Sequence, residues 1–318
     1  MLSDVLAPDL FASAVRIATP IALAAIGGTI CERSGVTNIA LEGIMLVGAF
    51  TGTAVALATG SVWIGVAAAV LAGILFTAPH AFAAITLGTD QIVSATALNI
   101  LAVGLTGYLM QVLYGHPGTT EAAPTLAPVF DFQGPSSGIA ARLFDWIDGV
   151  LLSYTAIVYI AIILAIVLQW AMYKTRWGLR LRALGEHPRA ADTVGINVVR
   201  GRYMAVLTSG ALAGLAGANL TLGSVGAFTE NMTNGRGFIA LAANIFGRWT
   251  PGGSYLASLL FGFADALQVR LQPFRDIIAI PPQFFYMVPY ILTVIVLAGF
   301  MGRAIAPAAI GKPYKERH

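Results

Sequence analysis

The sequence is poor in charged residues and in the residues that build most catalytic and metal sites. Only 10% of its 318 residues are charged, whereas soluble globular domains carry roughly 25%. A single cysteine, Cys31, excludes an intramolecular disulfide and cannot by itself form a zinc site. The four histidines are scattered along the chain and form no two-histidine helix motif. These shortages argue against a soluble protein and give no support to an intramembrane enzyme.

A phosphate-binding loop is also missing. The only Gly-Lys pair, Gly311-Lys312, is followed by proline rather than by the end of a Gly-x-x-x-x-Gly-Lys-Ser/Thr motif. If ATP drives this protein, the ATPase is another chain. We therefore expect this chain not to be an enzyme and to hold no cofactor of its own; in the ATP-driven case, ATP and Mg²⁺ would be bound by that other chain.

Long apolar stretches are abundant. Hydrophobic residues make up 57% of the chain and the mean hydropathy is +0.79. A membrane-spanning helix needs about 20 apolar residues, and the sequence predicts an all-α polytopic membrane protein with about nine such helices, the range being roughly eight to ten. The predicted crossings are 14–30, 36–58, 62–87, 92–113, 150–173, 203–229, 236–250, 254–272 and 284–301. At fifteen residues, 236–250 is too short to cross unless part of it is re-entrant or the bilayer is thin there.

The placement of positive charge predicts the topology. Seven of the 18 Lys and Arg residues lie in 174–202 and four more in 303–317, whereas the acidic, proline-rich connection 114–149 contains one, Arg142. Because basic loops face the cytoplasm, we expect a cytoplasmic loop at 174–202, an external loop at 114–149, an outer N-terminus and a cytoplasmic C-terminus. The basic residues report topology, so we expect membrane lipid and not nucleic acid as a partner.

A weak internal repeat is visible at a shift of 200 positions. Thr29, Gly35, Ile39-Ala40-Leu41 and Gly52 then align with identical residues, which gives six matches over positions 29–52. The predicted topology makes the two copies run in opposite directions, as in the inverted repeats of transporters. We predict one transmembrane domain, 1–318, with repeat halves of about 11–113 and 203–301. Chance similarity between two apolar helices remains the alternative.

The sequence of the basic loop 174–202 predicts a short, compact helix. Pro188 suits the first turn of a short helix, Gly195 is a stop signal, and Ala190, Ala191 and Val194 supply small side chains. A basic amphipathic segment on anionic lipid is the alternative.

Here the chain resembles a known family. Ala190-Ala191 followed by Gly195 is similar to the Glu-Ala-Ala-x-x-x-Gly coupling loop of bacterial ABC importer permeases, although Arg189 stands in place of the glutamate. The stretch 32–49 resembles the signature segment of the branched-chain amino acid and simple-sugar branch, and 177–182 and 231–247 resemble its nucleoside-type members. The resemblance assigns ATPase coupling to Glu186, Pro188, Arg189, Ala190, Ala191, Asp192 and Gly195.

The resemblance also implies a transport system of several chains, located in a bacterial inner membrane. It predicts a cytoplasmic ABC ATPase, a second permease subunit, often a paralogue that forms a heterodimer, and an extracytoplasmic solute-binding protein. The expected activity is ATP-driven alternating access for nucleosides, with simple sugars such as ribose as the alternative substrates. An ion-coupled secondary transporter that uses Glu42 and Asp265 is a second alternative.

Several polar and aromatic residues inside apolar segments are candidates for the solute path. Glu42 lies seven residues after Gly35 and about 10 Å into its predicted helix, with Asn38 one turn before it on the same face and Arg33 as a candidate partner. Lining the path and locking a helix junction are the two interpretations of this pair. For the remaining candidates, structural packing is the alternative to a role in the path. The predicted path residues are Asn38, Glu42, Asn99, Asn244, Phe50 and Phe246.

Overall fold

The computed structural model describes residues 8–130, 153–272 and 305–314, together with the isolated residues 287 and 291. Within these ranges the chain is helical, and the only β pairing consists of two isolated bridges. The helices are α1 (Pro8–Arg33), α2 (Leu41–Thr59), α3 (Val62–Ala81), α4 (Gln91–Tyr114), α5 (Ala156–Lys174), α6 (Arg176–Glu186), α7 (Pro188–Thr193), α8 (Val198–Leu220), α9 (Arg236–Phe246) and α10 (Pro251–Leu271). The all-α prediction is confirmed for the residues described.

Six of these helices, α1 to α5 and α8, are long and apolar enough to cross a membrane. α3 and α8 gain a π-helical turn each, at Phe82–Thr86 and Thr221–Val225. α10 has 21 residues but is less apolar and carries Asp265 and Arg270. The predicted crossing 284–301 lies outside the described residues, apart from two isolated positions, so the count of nine stays a prediction.

The helix ends follow the local turn chemistry. Gly60 ends α2 in a left-handed conformation at φ 69°, and the Asp90 side chain caps α4 by accepting hydrogen bonds from the N–H groups of Ile92 and Val93. α2 begins at Leu41 rather than at residue 36. The predicted helix over 36–58 is therefore wrong at its start, and 36–40 forms a non-helical link after α1.

The core is built on close helix contacts along α1 and α8. α10 runs antiparallel to α1, because Gly262 meets Ala14 and Ala18 while Ser254 meets Thr29 near the other end. On α8, three glycines approach the backbones of α3 and α2 so closely that an added Cβ would clash, namely Gly210, Gly214 and Gly217. This small-residue seam within one chain brings α2, α3 and α8 together.

The two ends of the helix bundle differ in charge. What we call the basic end contains Arg33, the loop 174–202 and the tail segment 305–314. The tail is held there by Gly311 N, which donates to Gly35 O at 3.1 Å, and by Ala309 N, which donates to Gly185 O at 2.8 Å. At the opposite end, residues 119–126 run beside 222–230, with Ala123 N donating to Gly226 O at 2.7 Å. The rest of the predicted external loop, 131–149, lies outside the described residues.

The internal repeat is not settled by this geometry. The aligned residues Gly35 and Gly235 are both left-handed, with φ of 93° and 83°. However, α2 begins six residues after Gly35, whereas α9 begins directly after Gly235. The repeat and its halves at 11–113 and 203–301 therefore stay a prediction.

Candidate functional site

The segment 226–250 crosses the bundle as an irregular stretch followed by a short helix. Thr229 pairs with Thr119 at the opposite end, and Trp249 contacts Arg33 at the basic end. Between them α9 has only 11 residues, about 16 Å at 1.5 Å per residue. The preceding turns contain Asn231 and Asn234 in left-handed conformations, which Asn tolerates better than most residues. Such broken helices are common at the solute sites of transporters.

Glu42 caps the N-terminus of α9. Its Oε1 accepts a hydrogen bond from Gly235 N at 2.8 Å, and its Oε2 accepts one from Gly237 N at 2.6 Å. These amides are among the N–H groups that a helix start leaves unpaired, and a carboxylate is also favoured there by the helix dipole. The contacts therefore show that Glu42 locks a helix junction, which is one of the two interpretations of this residue.

Arg33 binds the turn that follows the other end of the same helix. Its guanidinium donates to Trp249 O at 2.6 Å and to Arg248 O at 3.1 Å. Arg248 and Trp249 are both left-handed, a conformation that costs roughly 1–2 kcal/mol for such residues. Because Arg33 is committed to this end, its predicted pairing with Glu42 is wrong. The two side chains instead hold α9 from its two ends.

A cavity of about 440 Å³ lies beside the Glu42 cap, between α2, α4 and the turns before α9. Its wall carries Glu42, Thr96 and Asn99 from α2 and α4, and Asn234 and Phe238 from the α9 side. The Phe238 ring is half exposed. This volume falls within the range typical of small-molecule sites, and the mixture of apolar surface with a few polar groups is also typical.

Asn99 lies in the cavity wall, but Asn38 does not. Asn99 Oδ1 accepts from Gly43 N at 2.8 Å and its Nδ2 donates to Ile39 O at 3.1 Å, so it ties α4 to the start of α2. Asn38 is buried in the link before α2, where it donates to Ser209 Oγ at 3.2 Å. The helical i, i+4 placement of Asn38 and Glu42 is therefore wrong, since only Glu42 is on α2.

Asn244 belongs to a buried polar network rather than to the cavity wall. It donates to Glu32 Oε2 at 2.8 Å and accepts from the Thr29 hydroxyl at 2.7 Å, and Ser254 Oγ lies 2.8 Å from that hydroxyl. The Trp249 indole N–H donates to the same Glu32 oxygen. The network joins α1, α9 and α10.

The two predicted aromatic residues are engaged with other rings. Phe50 is buried and meets Phe228 edge to face, with ring centroids 5.2 Å apart. Phe246 stacks on Phe261 with centroids 5.7 Å apart. Neither lines the Glu42 cavity, which instead has Phe238 on its wall.

The predicted coupling loop forms a short helix at the basic end. α7 begins at Pro188, and Gly195 follows it at φ 80°. Arg189 and Ala190 are exposed, while Ala191 is buried against Leu184 and Val198. The predicted small face is thus split, because Ala191 faces the bundle.

The loop's two acidic residues are already partnered. Glu186 Oε1 lies 3.8 Å from the Arg33 guanidinium, and Asp192 accepts from the Tyr314 hydroxyl at 2.8 Å. The coupling loop is therefore attached to both α1 and the tail.

Sequence reasoning missed the importance of Glu32, Trp249 and Asn234. Glu32 reads as a polar residue in the turn after a crossing, yet it is 5% exposed. Its partners lie more than 200 positions away in the chain, so no local pattern could reveal them. The cluster Asn231, Asn234 and Gly235 is the one available signal, because such residues favour left-handed turns.

Comparison with known proteins identifies the family of this chain. Residues 10–297 match the family described as branched-chain amino acid transport system / permease component. The chain belongs to this family. It is 43% identical over 309 residues to the guanosine ABC transporter permease NupQ of Bacillus subtilis, with 93% of each chain covered. It is 39% identical over 315 residues to the nucleoside ABC transporter permease NupC of Lactococcus lactis, again with 93% of each covered.

A third relative carries a different substrate in its name. TsgC13 of Haloferax volcanii, provisionally named a glucose ABC transporter permease, is 34% identical over 308 residues, with 92% of this chain and 91% of the relative covered. All three relatives are named as permeases and none as an enzyme. The predicted ABC permease family is confirmed, and the apolar helices make the chain a multi-pass membrane protein.

Proposed function

We propose that the chain is the transmembrane permease subunit of an ABC importer for nucleosides. The observation that carries this proposal is the 43% identity, across 93% of both chains, to a permease named for guanosine. The permease supplies a path whose access alternates between the two sides of the membrane, and it catalyses no covalent step. ATP and Mg²⁺ belong to a partner ATPase. A solute-binding protein and a second permease complete the system.

The basic end faces the cytoplasm of a bacterial inner membrane in this proposal. The loop 174–202 holds seven of the 18 Lys and Arg residues, and α1 ends at the same face of the bundle as that loop. Cytoplasmic loops carry such an excess of positive charge. α1 consequently starts at the outer side, and the tail 305–314 lies inside.

The exposed part of α7 is the proposed contact for the ATPase. Pro188 and Gly195 delimit the helix, and its Arg189 and Ala190 are exposed. Since Glu186 and Asp192 are attached to Arg33 and Tyr314, a displacement of α7 is transmitted to α1. Arg33 also holds the turn that follows α9. Movement at the ATPase therefore reaches the helix whose other end is held by Glu42.

The Glu42 cavity is the proposed solute path. A carboxylate whose amide partners are satisfied still has acceptor positions for the hydroxyl groups of a sugar. The amides of Asn99 and Asn234 supply donors, and the half-exposed Phe238 ring offers an apolar surface on which a base can stack. Neutral solutes rich in hydroxyl groups fit this wall, whereas a phosphate group would be repelled by Glu42.

Transport by the whole assembled system tests the proposal. The chain is reconstituted in vesicles with the ATPase, second permease and binding protein from its gene neighbourhood, and uptake of labelled guanosine, ribose and glucose is measured. We expect ATP-dependent uptake of guanosine, and we expect unlabelled adenosine or uridine to inhibit it by competition. The glucose-named relative makes simple sugars the second candidate. Ribose or glucose uptake without guanosine uptake would replace nucleosides by sugars, and uptake driven by an ion gradient without ATP would refute the importer.

Gly195→Glu tests the docking role of α7. Its φ of 80° disfavours a side chain, but no atom lies within 4 Å of an added Cβ, so we expect membrane insertion to persist while ATPase co-purification is lost. Gly195→Asn is the matched control, because asparagine tolerates this backbone conformation. Loss of association only with glutamate supports docking at α7; retained association with glutamate contradicts it.

A further inference from the structure

A second cavity, of about 420 Å³, opens at the basic end between α6, α8 and the segment 194–197 that joins α7 to α8. Its rim is positively charged, since Arg180 comes from α6 and Arg200 from the start of α8. Both side chains are exposed. Its floor is apolar and includes Leu181 and Ala205. The cavity is on a different helix pair from the Glu42 cavity.

The two arginines have no protein partner among the residues described. Neither guanidinium makes a hydrogen bond or an ion pair within 8–130, 153–272 and 305–314. The only acidic residues of the loop 174–202 are Glu186 and Asp192. Both are engaged elsewhere, Glu186 with Arg33 and Asp192 with Tyr314. The positive rim is therefore uncompensated.

The floor of the cavity continues along a helix that can cross the membrane. Met204, Ala205 and Thr208 line it in succession on α8, leading away from Arg200 into the candidate span 198–225. Met204 is 55% exposed, and Trp177 on the facing helix is 41% exposed. Tryptophan is enriched where a membrane meets water. The groove thus runs from a charged rim at the interface to an apolar wall inside the membrane.

We propose that this groove, formed by Trp177, Arg180, Leu181, Arg200, Met204 and Thr208, binds one anionic phospholipid. The phosphate lies between the two guanidinium groups and an acyl chain follows α8. Basic clefts between membrane helices are suited to anionic headgroups, and arginine is suited to phosphate oxygens. A water-soluble partner protein would match the charged rim but could not follow α8 into the hydrocarbon region. The inference concerns the membrane-embedded chain and holds whichever solute is transported.

Quenching of Trp177 fluorescence by brominated lipid tests the site. The permease complex is reconstituted in phosphatidylcholine vesicles that contain a rising fraction of brominated phosphatidylglycerol or, in parallel, brominated phosphatidylcholine. The Trp177 signal is the difference between the unaltered chain and Trp177→Phe. We expect the phosphatidylglycerol to quench at a lower mole fraction and to saturate, as one site requires. Equal quenching by the two lipids would overturn the proposal.

Two pairs of charge removals separate the site from a general surface effect. Arg180→Gln and Arg200→Gln should each weaken the preference for phosphatidylglycerol about fivefold, in line with the attraction of one basic residue to an anionic surface. Lys174→Gln with Arg176→Gln removes two charges from the same end but outside the groove, and should leave the preference intact. An equal loss in this control would refute a defined site.

Other occupants give distinct results. If millimolar inorganic phosphate abolishes the preference, the groove binds a free anion and the lipid assignment fails. If Arg180→Gln with Arg200→Gln releases the ATPase and leaves lipid preference unchanged, the groove is a protein contact and the assignment fails equally. Retained ATPase association together with lost lipid preference supports the proposed site.

Discussion

Glu32 and Glu42 are ten residues apart, and both carboxyl groups lie among apolar helices, but their surroundings differ. Glu32 is 5% exposed and accepts hydrogen bonds from the side chains of Asn244 and Trp249. Glu42 accepts from the backbone amides of Gly235 and Gly237 and faces a cavity. Both therefore hold the segment 235–249, one from each end.

The difference separates a structural carboxyl group from one that can also meet solute. All of Glu32's recorded partners are donors within the packed interior, so changing it alters the fold first. Glu42 satisfies its helix start and still borders open space of about 440 Å³. We expect substitution of Glu32 to reduce protein yield first, and substitution of Glu42 to reduce transport more than yield.

Glu32→Ala should have the largest effect on stability. It leaves the Asn244 amide and the Trp249 indole N–H buried without their acceptor, at a cost of about 1–3 kcal/mol for each unpaired group. We expect a strong loss of folded protein, measured by the thermal unfolding of the detergent-solubilised chain. Glu32→Gln is the control, because its carbonyl oxygen can still accept. Equal loss in both variants would show that charge, and not the acceptor, is required.

Gly237→Ala should have the next largest effect and should act at the Glu42 end alone. An added Cβ would lie 2.4 Å from Glu42 N and 2.5 Å from Glu42 Cα, so α9 has to move away from α2. Overpacking of this kind costs about 1–3 kcal/mol. Uptake by the assembled system should fall sharply, with a smaller fall in yield. Gly104→Ala on α4, with no atom within 4 Å, should change neither; normal uptake by Gly237→Ala would break the link between this contact and transport.

Glu42→Ala should reduce transport more than stability. Losing a carboxylate cap at a helix start costs about 1 kcal/mol, whereas losing a charged hydrogen bond to a solute hydroxyl costs about 1.5–3 kcal/mol. We therefore expect a tenfold or greater fall in guanosine uptake at nearly normal yield. Glu42→Gln should retain part of the uptake, since it keeps one acceptor oxygen. If uptake only follows yield in all variants, Glu42 is a structural residue like Glu32.

The local features of this site were predictable from sequence and the long-range ones were not. The limits of α7 at Pro188 and Gly195 are as expected, because proline and glycine restrict or permit particular conformations of their own backbone. The position of Asn38 was predicted wrongly, since the run 36–58 looks like one helix although the chain turns until Leu41. The predicted pairing of Arg33 with Glu42 was also wrong. Pairings between residues about 200 positions apart depend on how α9 packs against α1, which no local pattern encodes.

The smallest expected effect concerns the link between the coupling loop and α9. Glu186 lies 3.8 Å from Arg33 and is 46% exposed, and exposed pairs of this kind contribute about 0–1 kcal/mol. Glu186→Gln should therefore leave thermal stability almost unchanged, whereas Arg33→Gln should lower it by freeing the carbonyls of Arg248 and Trp249.

A double-mutant cycle decides whether this contact also serves transport. ATP hydrolysis and uptake are measured for Glu186→Gln, for Arg33→Gln and for the double variant. If the contact transmits movement from α7 to α9, Glu186→Gln raises the ATP consumed per guanosine imported, and adding it to Arg33→Gln changes that ratio no further. Independent effects of the two substitutions would show that the ATPase acts on the Glu42 end of α9 by another route, through the packing of α8 against α2.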